Sequence, residues 1–416
     1  MRDRQRDARP AGAVMAFGDG PDDTALDAAW AAFCDRLKAA GAQAFKDHNA
    51  TSGAQRVDAL RFLTQNLGQA FDLALETADT RYPIVHAFCT PLRKLGGDSA
   101  DFTYHQAWID GTHTYRLTGN RGGAPFFNIT VQGPRGSGPG VLHEPFGDVP
   151  EVNLSGSQLA TAAGGDFELY IGGPERGPNW LPTTPGSRKL FIRQGFDRWD
   201  DRPAELRIER VDMAAPRPLP TPAEMVAAID WAGDFVEGVM RDWPDYPFTY
   251  GGVDAAHPNR FPAVDSDTGD DKRGRAAANM FWELGADEAL IIEFDAHEGL
   301  WMLTNMGVFF NSMDYLYRPV SYTPSRTVTD GDGRIRIVLA HDDPGCHNWL
   351  DTQGFSRGNV TYRHMLAGKP AVLHTRLVAR SDLADALPSD TATVTGEQRV
   401  AQMWARFNGI RRRHRM

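Results

Sequence analysis

Apolar residues recur at helical spacing near both ends of this chain and at every second position through much of the middle. Leu26, Trp30, Phe33 and Leu37 predict an amphipathic helix behind the N-cap chemistry of Asp22-Asp23-Thr24. Leu60, Leu63, Leu67, Phe71 and Leu75 predict a second, which must end before Tyr82-Pro83 because proline disfavours helix in the residue ahead of it. From Phe102 the period becomes two. Phe102, Tyr104, Gln106 and Trp108 alternate with Thr103, His105, Ala107 and Ile109, and Asp110-Gly111 is a hairpin turn signal. Short strands follow at residues 113–117, 126–131, 167–171, 190–193 and 206–211.

Thr221-Pro222-Ala223-Glu224 is a capping box that opens another helix, lined by Met225, Ile229, Ala232, Val236 and Val239. The polar stretch 251–274 reads as a long loop, and strands resume at 289–294, 300–306, 335–341, 360–363 and 372–378. Val400, Trp404, Phe407 and Ile410 mark the inward face of a last helix. The pattern predicts a mainly β, α+β protein: two tandem antiparallel β-sandwich (jelly-roll-like) units, each followed by a helix, behind an N-terminal helical pair. The expected boundaries are a disordered tail at 1–21, helical segment 22–80, first β unit 81–215, helix and polar loop 216–276, second β unit 277–390, and C-terminal helix with basic tail 391–416.

The two β units share a framework. Asn179-Trp180-Leu181-Pro182-Thr183 recurs as Asn348-Trp349-Leu350-Asp351-Thr352, and Arg193 and Pro203 recur as Arg363 and Pro370, at offsets of 167–170 residues. An ordered series at nearly constant offset predicts an internal duplication. An ungapped match sets His341 against Gly172, Asp342 against Gly173, His347 against Pro178 and Asp351 against Pro182. Ionisable residues thus stand where the first unit has backbone-shaping ones, which points to a site in the second turn.

Composition narrows the function. A net charge of −10 argues against a general nucleic-acid binder. No apolar run reaches membrane-spanning length, and the short apolar piece at 11–17 is too weak for a secretory signal. Three distant cysteines (Cys34, Cys89, Cys346) make neither a disulfide framework nor a thiolate zinc site. The expectation is a cytoplasmic protein with a small-molecule ligand, with no nucleic-acid or membrane partner and no cofactor; a homo-oligomer is compatible with it.

One stretch resembles a known bacterial family. Asp287-Glu288-Ala289-Leu290-Ile291-Ile292-Glu293, Trp301, Asp314-Tyr315, and Ala340-His341 through Asp343-Pro344-Gly345, Asn348-Trp349-Leu350-Asp351-Thr352 and Gly354 are similar to the family catalogued as domain of unknown function 1214. The resemblance is placed over residues 277–387, with a diverged second copy in the N-terminal half; Arg93-Lys94-Leu95-Gly96-Gly97-Asp98 is similar to the upstream region of longer members. It implies a β-sandwich core and brings no settled catalytic residues. Cys346-His347 departs from the family pattern.

The candidate catalytic residues are His341, Asp342, Asp343, His347 and Asp351, with Trp301, Tyr315, Asn348 and Arg357 as substrate-binding candidates. A histidine beside carboxylates suits acid–base chemistry near neutrality. No metal site is assigned, because two histidines six residues apart across a Pro-Gly turn match no ligand spacing. Cys346 beside His347 is a weaker nucleophile candidate. The glycine-rich segments lack the lysine and helix of a phosphate loop, and the Asp265–Asp270 run has Ala276 where a calcium loop needs glutamate. The expected function is a catabolic enzyme acting on a hydrophobic small molecule in an aromatic-lined pocket beside His341. The alternative is a non-catalytic binding or assembly module with a structural His/Asp turn.

Overall fold

The computed structural model describes residues 21–46, 51–134, 147–213, 216–264 and 276–416. Residues 1–20 of the predicted tail, the Asp265–Asp270 run and most of the glycine-rich stretch 133–140 fall outside those residues. The chain opens with helices α1 (Pro21–Gln43) and α2 (Gly53–Phe71), and α2 runs on into a π-helical turn at Asp72–Glu76. Nine strands follow: β1 (His86–Cys89), β2 (Phe102–Trp108), β3 (Tyr115–Asn120), β4 (Phe126–Pro134), β5 (Asp148–Ser155), β6 (Asp166–Ile171), β7 (Trp180–Leu181), β8 (Lys189–Gly195) and β9 (Glu205–Arg210). Helices α3 (Pro222–Asp242) and α4 (Tyr246–Thr249) lead to β10 (Ala276–Glu283), β11 (Glu288–Asp295), β12 (Leu300–Met306), β13 (Ser321–Tyr322), β14 (Arg334–Ala340), β15 (Trp349–Asp351), β16 (Arg357–Met365) and β17 (His374–Ala379). Helices α5 (Leu383–Ala386) and α6 (Gly396–His414) end the chain.

The fold is α+β, with four mostly antiparallel sheets arranged as two repeated sandwich-like units. In the first, the order β1-β2-β8-β4-β5 faces β7-β6-β3-β9; in the second, β10-β16-β12-β13 faces β15-β14-β11-β17. Apart from the added β1, each strand of one unit has a counterpart in the other, eight strands later. Even the exception to antiparallel pairing repeats: β6 pairs with β7, and β14 with β15, in parallel.

The apolar positions explain this layering. Leu117, Ile129, Leu169 and Ile192 fill the first sandwich, and Leu290, Leu303, Ile337 and Tyr362 fill the second. The units meet through Phe102 and Phe126 on one side and Leu300, Met302 and Met365 on the other. Each such buried side chain contributes about 1.5–3 kcal/mol before entropic costs, enough to make this seam a fixed contact. A separate core formed by α1, α2 and α3 takes in Phe309 and Phe310 of the second unit.

Two helical faces depart from the sequence expectation. Trp30 of α1 is 52% exposed, while Ala29 and Phe33 turn inward. In α6, Val400 and Trp404 are more than half exposed, and the buried face is Arg399, Arg406, Gly409, Ile410 and Arg413. The reason is electrostatic. Arg399 meets Asp343, Arg413 meets Asp101, and all three arginines lie over tryptophan rings. Paired and stacked guanidiniums can be buried where bare ones cannot.

Candidate functional site

The register of the parallel strand pairs aligns the two turns and corrects the ungapped match. Tyr170 pairs with Trp180, and Val338 with Trp349. The Trp180 indole donates to the Gly172 carbonyl at 3.2 Å, and the Trp349 indole to the Ala340 carbonyl at 3.2 Å. Ala340 therefore stands opposite Gly172 and His341 opposite Gly173, and the second turn is one residue longer. The asparagines work alike: Asn179 bonds Ala160 and Glu168, and Asn348 bonds Val328 and Arg336.

What differs is the fastening beneath each turn. In the first unit, Thr183 donates directly to the Gly111 carbonyl at 2.7 Å. Gly172 and Gly173 both have positive φ, and a Cβ on Gly173 would lie 2.1 Å from the Thr114 hydroxyl. In the second, His341 stands between the corresponding groups, with Nδ1 2.7 Å from the Thr352 hydroxyl and Nε2 3.0 Å from the Gly285 carbonyl. A carbonyl only accepts, so Nε2 carries a proton; in the neutral ring Nδ1 then accepts from the Thr352 hydroxyl. Both ring nitrogens are engaged.

The acidic candidates are held elsewhere. Asp342 is exposed. Asp343 accepts from Arg399 at 2.9 and 3.1 Å and from the Gly345 amide at 2.9 Å. Asp351 is paired with Arg318 at 2.7 Å and caps the Gln353 amide. His347 lies beside the Asn348 side chain, while its carbonyl accepts from Tyr322 and Arg399. Burial pushes the Cys346 thiol up to about 11, which disfavours the thiolate a nucleophile requires. Among the described residues, no group of three or more His, Cys, Asp or Glu is placed to hold a metal ion.

The substrate-binding candidates do not converge on His341. Asn348 anchors the turn as above. Trp301 is fully buried, edge-on to Phe294 at 5.1 Å. The backbone carbonyl of half-buried Arg357 accepts from Gln55. Tyr315 belongs to a cluster around the Arg-Lys-Leu-Gly-Gly-Asp segment. Buried Lys94 lies 3.2 Å from the centre of the Tyr315 ring and donates to Ser312 at 3.0 Å; Asp98 accepts from the Ser312 amide and hydroxyl at 2.8 and 2.5 Å. Burial pushes the Lys94 amine down to about 8, against the pull of Asp98 and Asp314. The glycines permit close approach: a Cβ on Gly96 would strike Trp243, and the Gly97 amide donates to Phe310, whose φ is +52°.

Sequence reasoning missed one further feature, a cleft of about 750 Å³ between the helical segment and the first β unit. Leu73, Trp108, Ala228 and Trp231 give it apolar walls, and Asp79, Arg81, Asp110, His113, Arg210, Arg217 and Glu224 form its charged margin. The π-helical turn shapes it, since the Leu73 carbonyl accepts from the Trp108 indole at 3.0 Å. Trp108 and Trp231 meet edge to face at 6.5 Å. Tryptophans so far apart in sequence left no local signal.

Comparison with known proteins bears on the fold. The family described as "Protein of unknown function (DUF1214)" matches residues 100–194. The resemblance expected over residues 277–387 is thereby relocated to the first β unit. Its framework, Asn-Trp-Leu-x-Thr on a parallel strand pair, is built in both units, so those residues alone did not distinguish them. The crystal structure of an uncharacterised protein from Burkholderia cenocepacia is similar, at 28% identity and a TM-score of 0.78, over 86% of this chain and 99% of that one. A protein from Vibrio parahaemolyticus, at 12% identity and a TM-score of 0.43, covers 82% of this chain and 100% of its own. No curated protein matches the chain.

Proposed function

We propose that the chain is a non-catalytic small-molecule binding protein whose ligand occupies the cleft between the helical segment and the first β unit, and that the His341 turn is a structural staple. The observation that carries this reading is the cleft: about 750 Å³, walled by Trp108 and Trp231, with Arg81 and His113 at its margin. That volume is one small-molecule sites have, and the apolar walls with a charged rim would hold and orient an amphipathic ligand. The engagement of both His341 nitrogens, and of Asp343 and Asp351 with arginines, supports the structural role of the turn. Arg81 and Arg217 both meet Asp79, and Arg210 meets Asp212, so the charged rim is largely self-paired and the cleft favours a largely apolar ligand with a small polar end.

The test uses 1-anilinonaphthalene-8-sulfonate as an apolar probe, read by energy transfer from tryptophan. The wild type binds it saturably. Ala227→Trp, an exposed α3 position on the cleft wall, fills the space and weakens binding tenfold or more. Equal binding by Ala227→Trp would remove the cleft as the site.

A further inference from the structure

At the junction of the two β units, Arg326 of the second unit and the buried Arg406 and Arg413 of α6 surround one tryptophan and one carboxylate. The Arg326, Arg406 and Arg413 guanidiniums lie 4.0, 5.1 and 4.9 Å from the centre of the Trp199 ring. Among the described residues, Asp101 is the only carboxylate in an ion pair with any of them, to Arg326 at 2.7 Å and Arg413 at 3.2 Å. Of the other acids nearby, Asp197 accepts from the Ser325 amide, and Asp201, which accepts from the amides of Asp197 and Arg198, attracts Arg413 through space without pairing with it. Arg326 Nη1, Arg406 Nε and Arg413 Nε are buried without a hydrogen-bond partner. Three cations on one anion leave positive charge in a low-dielectric region, where it is costly and its field is weakly screened.

Beside this cluster lies a cavity of about 380 Å³, whose lining includes Arg198, Trp199, Asp200, Ser325, Arg326 and Arg412. The Arg198 and Arg412 side chains are exposed, and Asp200, the one acid of the lining, is 3.4 Å from Arg198. Gly409 lets α6 close over the indole, since a Cβ there would lie 2.7 Å from Trp199. We propose that this cavity binds a phosphate-class oxyanion, free or carried on a small organic molecule. Arg198 and Arg412 contact it from the rim, and the arginines behind Trp199 supply the attractive field; the Ser325 hydroxyl is committed to the Asp197 carbonyl at 2.8 Å. Guanidiniums suit this ligand because their paired N–H groups match two oxyanion oxygens. An anion here ties together segments of both β units and α6, so binding also stabilises the seam between them.

The experiment is thermal denaturation of the full chain in sodium phosphate and in sodium chloride at matched ionic strength and pH. Glycerol 3-phosphate is titrated in parallel, to tell a free anion from an ester. The wild type melts higher in phosphate than in chloride, and Arg198→Gln/Arg412→Gln, altered only at exposed side chains, weakens the apparent affinity tenfold or more. Asn408→Glu, which adds a carboxylate at the cavity wall, abolishes the phosphate response. A tighter response to the ester assigns the site to a phosphorylated small molecule, and an equal one to the free anion. Identical melting in phosphate and chloride would overturn the proposal, leaving Asp101 and the carbonyls of Asp197, Ser321 and Arg198 as the arginines' sufficient partners. So would an undiminished phosphate response in both variants.

Discussion

In the first β unit the chain leaves β6 through two glycines with left-handed backbone, and a threonine hydroxyl reaches straight to the carbonyl below. In the second it leaves β14 through Ala340 and His341, and an imidazole fills the gap between the same two groups. Both turns keep the asparagine clamp and the tryptophan bond. The comparison teaches that ionisable side chains can enter a turn as fasteners, taking over work that glycine does elsewhere. Arg399 adds to the second turn a brace to Asp343 and to the carbonyls of Cys346 and His347.

The largest expected effect separates the two tryptophans. Trp349 is 8% exposed and Trp180 only half-buried. Trp349→Ala should cost about 3–5 kcal/mol, and Trp180→Ala about 1–3 kcal/mol, both by urea denaturation. Equal losses would mean that the two turns are not packed differently. Next comes the brace. Arg399→Met should cost about 2–3 kcal/mol, because several charge-assisted bonds go while Asp343 can rehydrate. A loss within error would show Arg399 to be ornamental.

Strand alternation made β2 and β3 legible, and apolar runs with β-branched residues bounded by turns did the same for β11 and β14. β10 escaped because residues 278–282 are buried on both faces, which erases the alternation, and unlike β11 and β14 none of them is β-branched. β7 and β15 are two and three residues long, too short for any period to show. The α6 face was misread because hydrophobicity alone ranks Trp404 above Arg406. Only the fold brings Asp101 and Trp199 to those arginines. The framework of the candidate turn was readable as a repeat, but the single-residue insertion, and with it the place of His341, needed the strand register.

A smaller effect concerns Lys94, which fastens the helical side of the molecule to the second unit through Ser312. Its amine titrates near about 8 when folded, against the ordinary 10.5. The unfolded chain therefore holds the extra proton between those values, and this group's contribution to stability grows as pH rises from about 8 to about 10.5. Relative to Lys94→Met, the wild type should gain melting temperature across that window. A constant difference would mean that burial does not disfavour the charged amine. The smallest effects should come from the threonines: Thr352→Val and Thr183→Val should each cost about 0.5–1.5 kcal/mol. Only the former should loosen the His341 ring, visible as broadened imidazole resonances.

Nitrogen-15 NMR of the His341 imidazole tests the staple most directly. With Nε2 donating to Gly285 and Nδ1 accepting from Thr352, the ring should be a single Nε2–H tautomer whose proton is protected from exchange. Thr352→Val should remove that restraint. An Nδ1–H tautomer, or a rapidly averaging mixture with a freely exchanging proton, would contradict the account and return His341 to the list of groups available for chemistry.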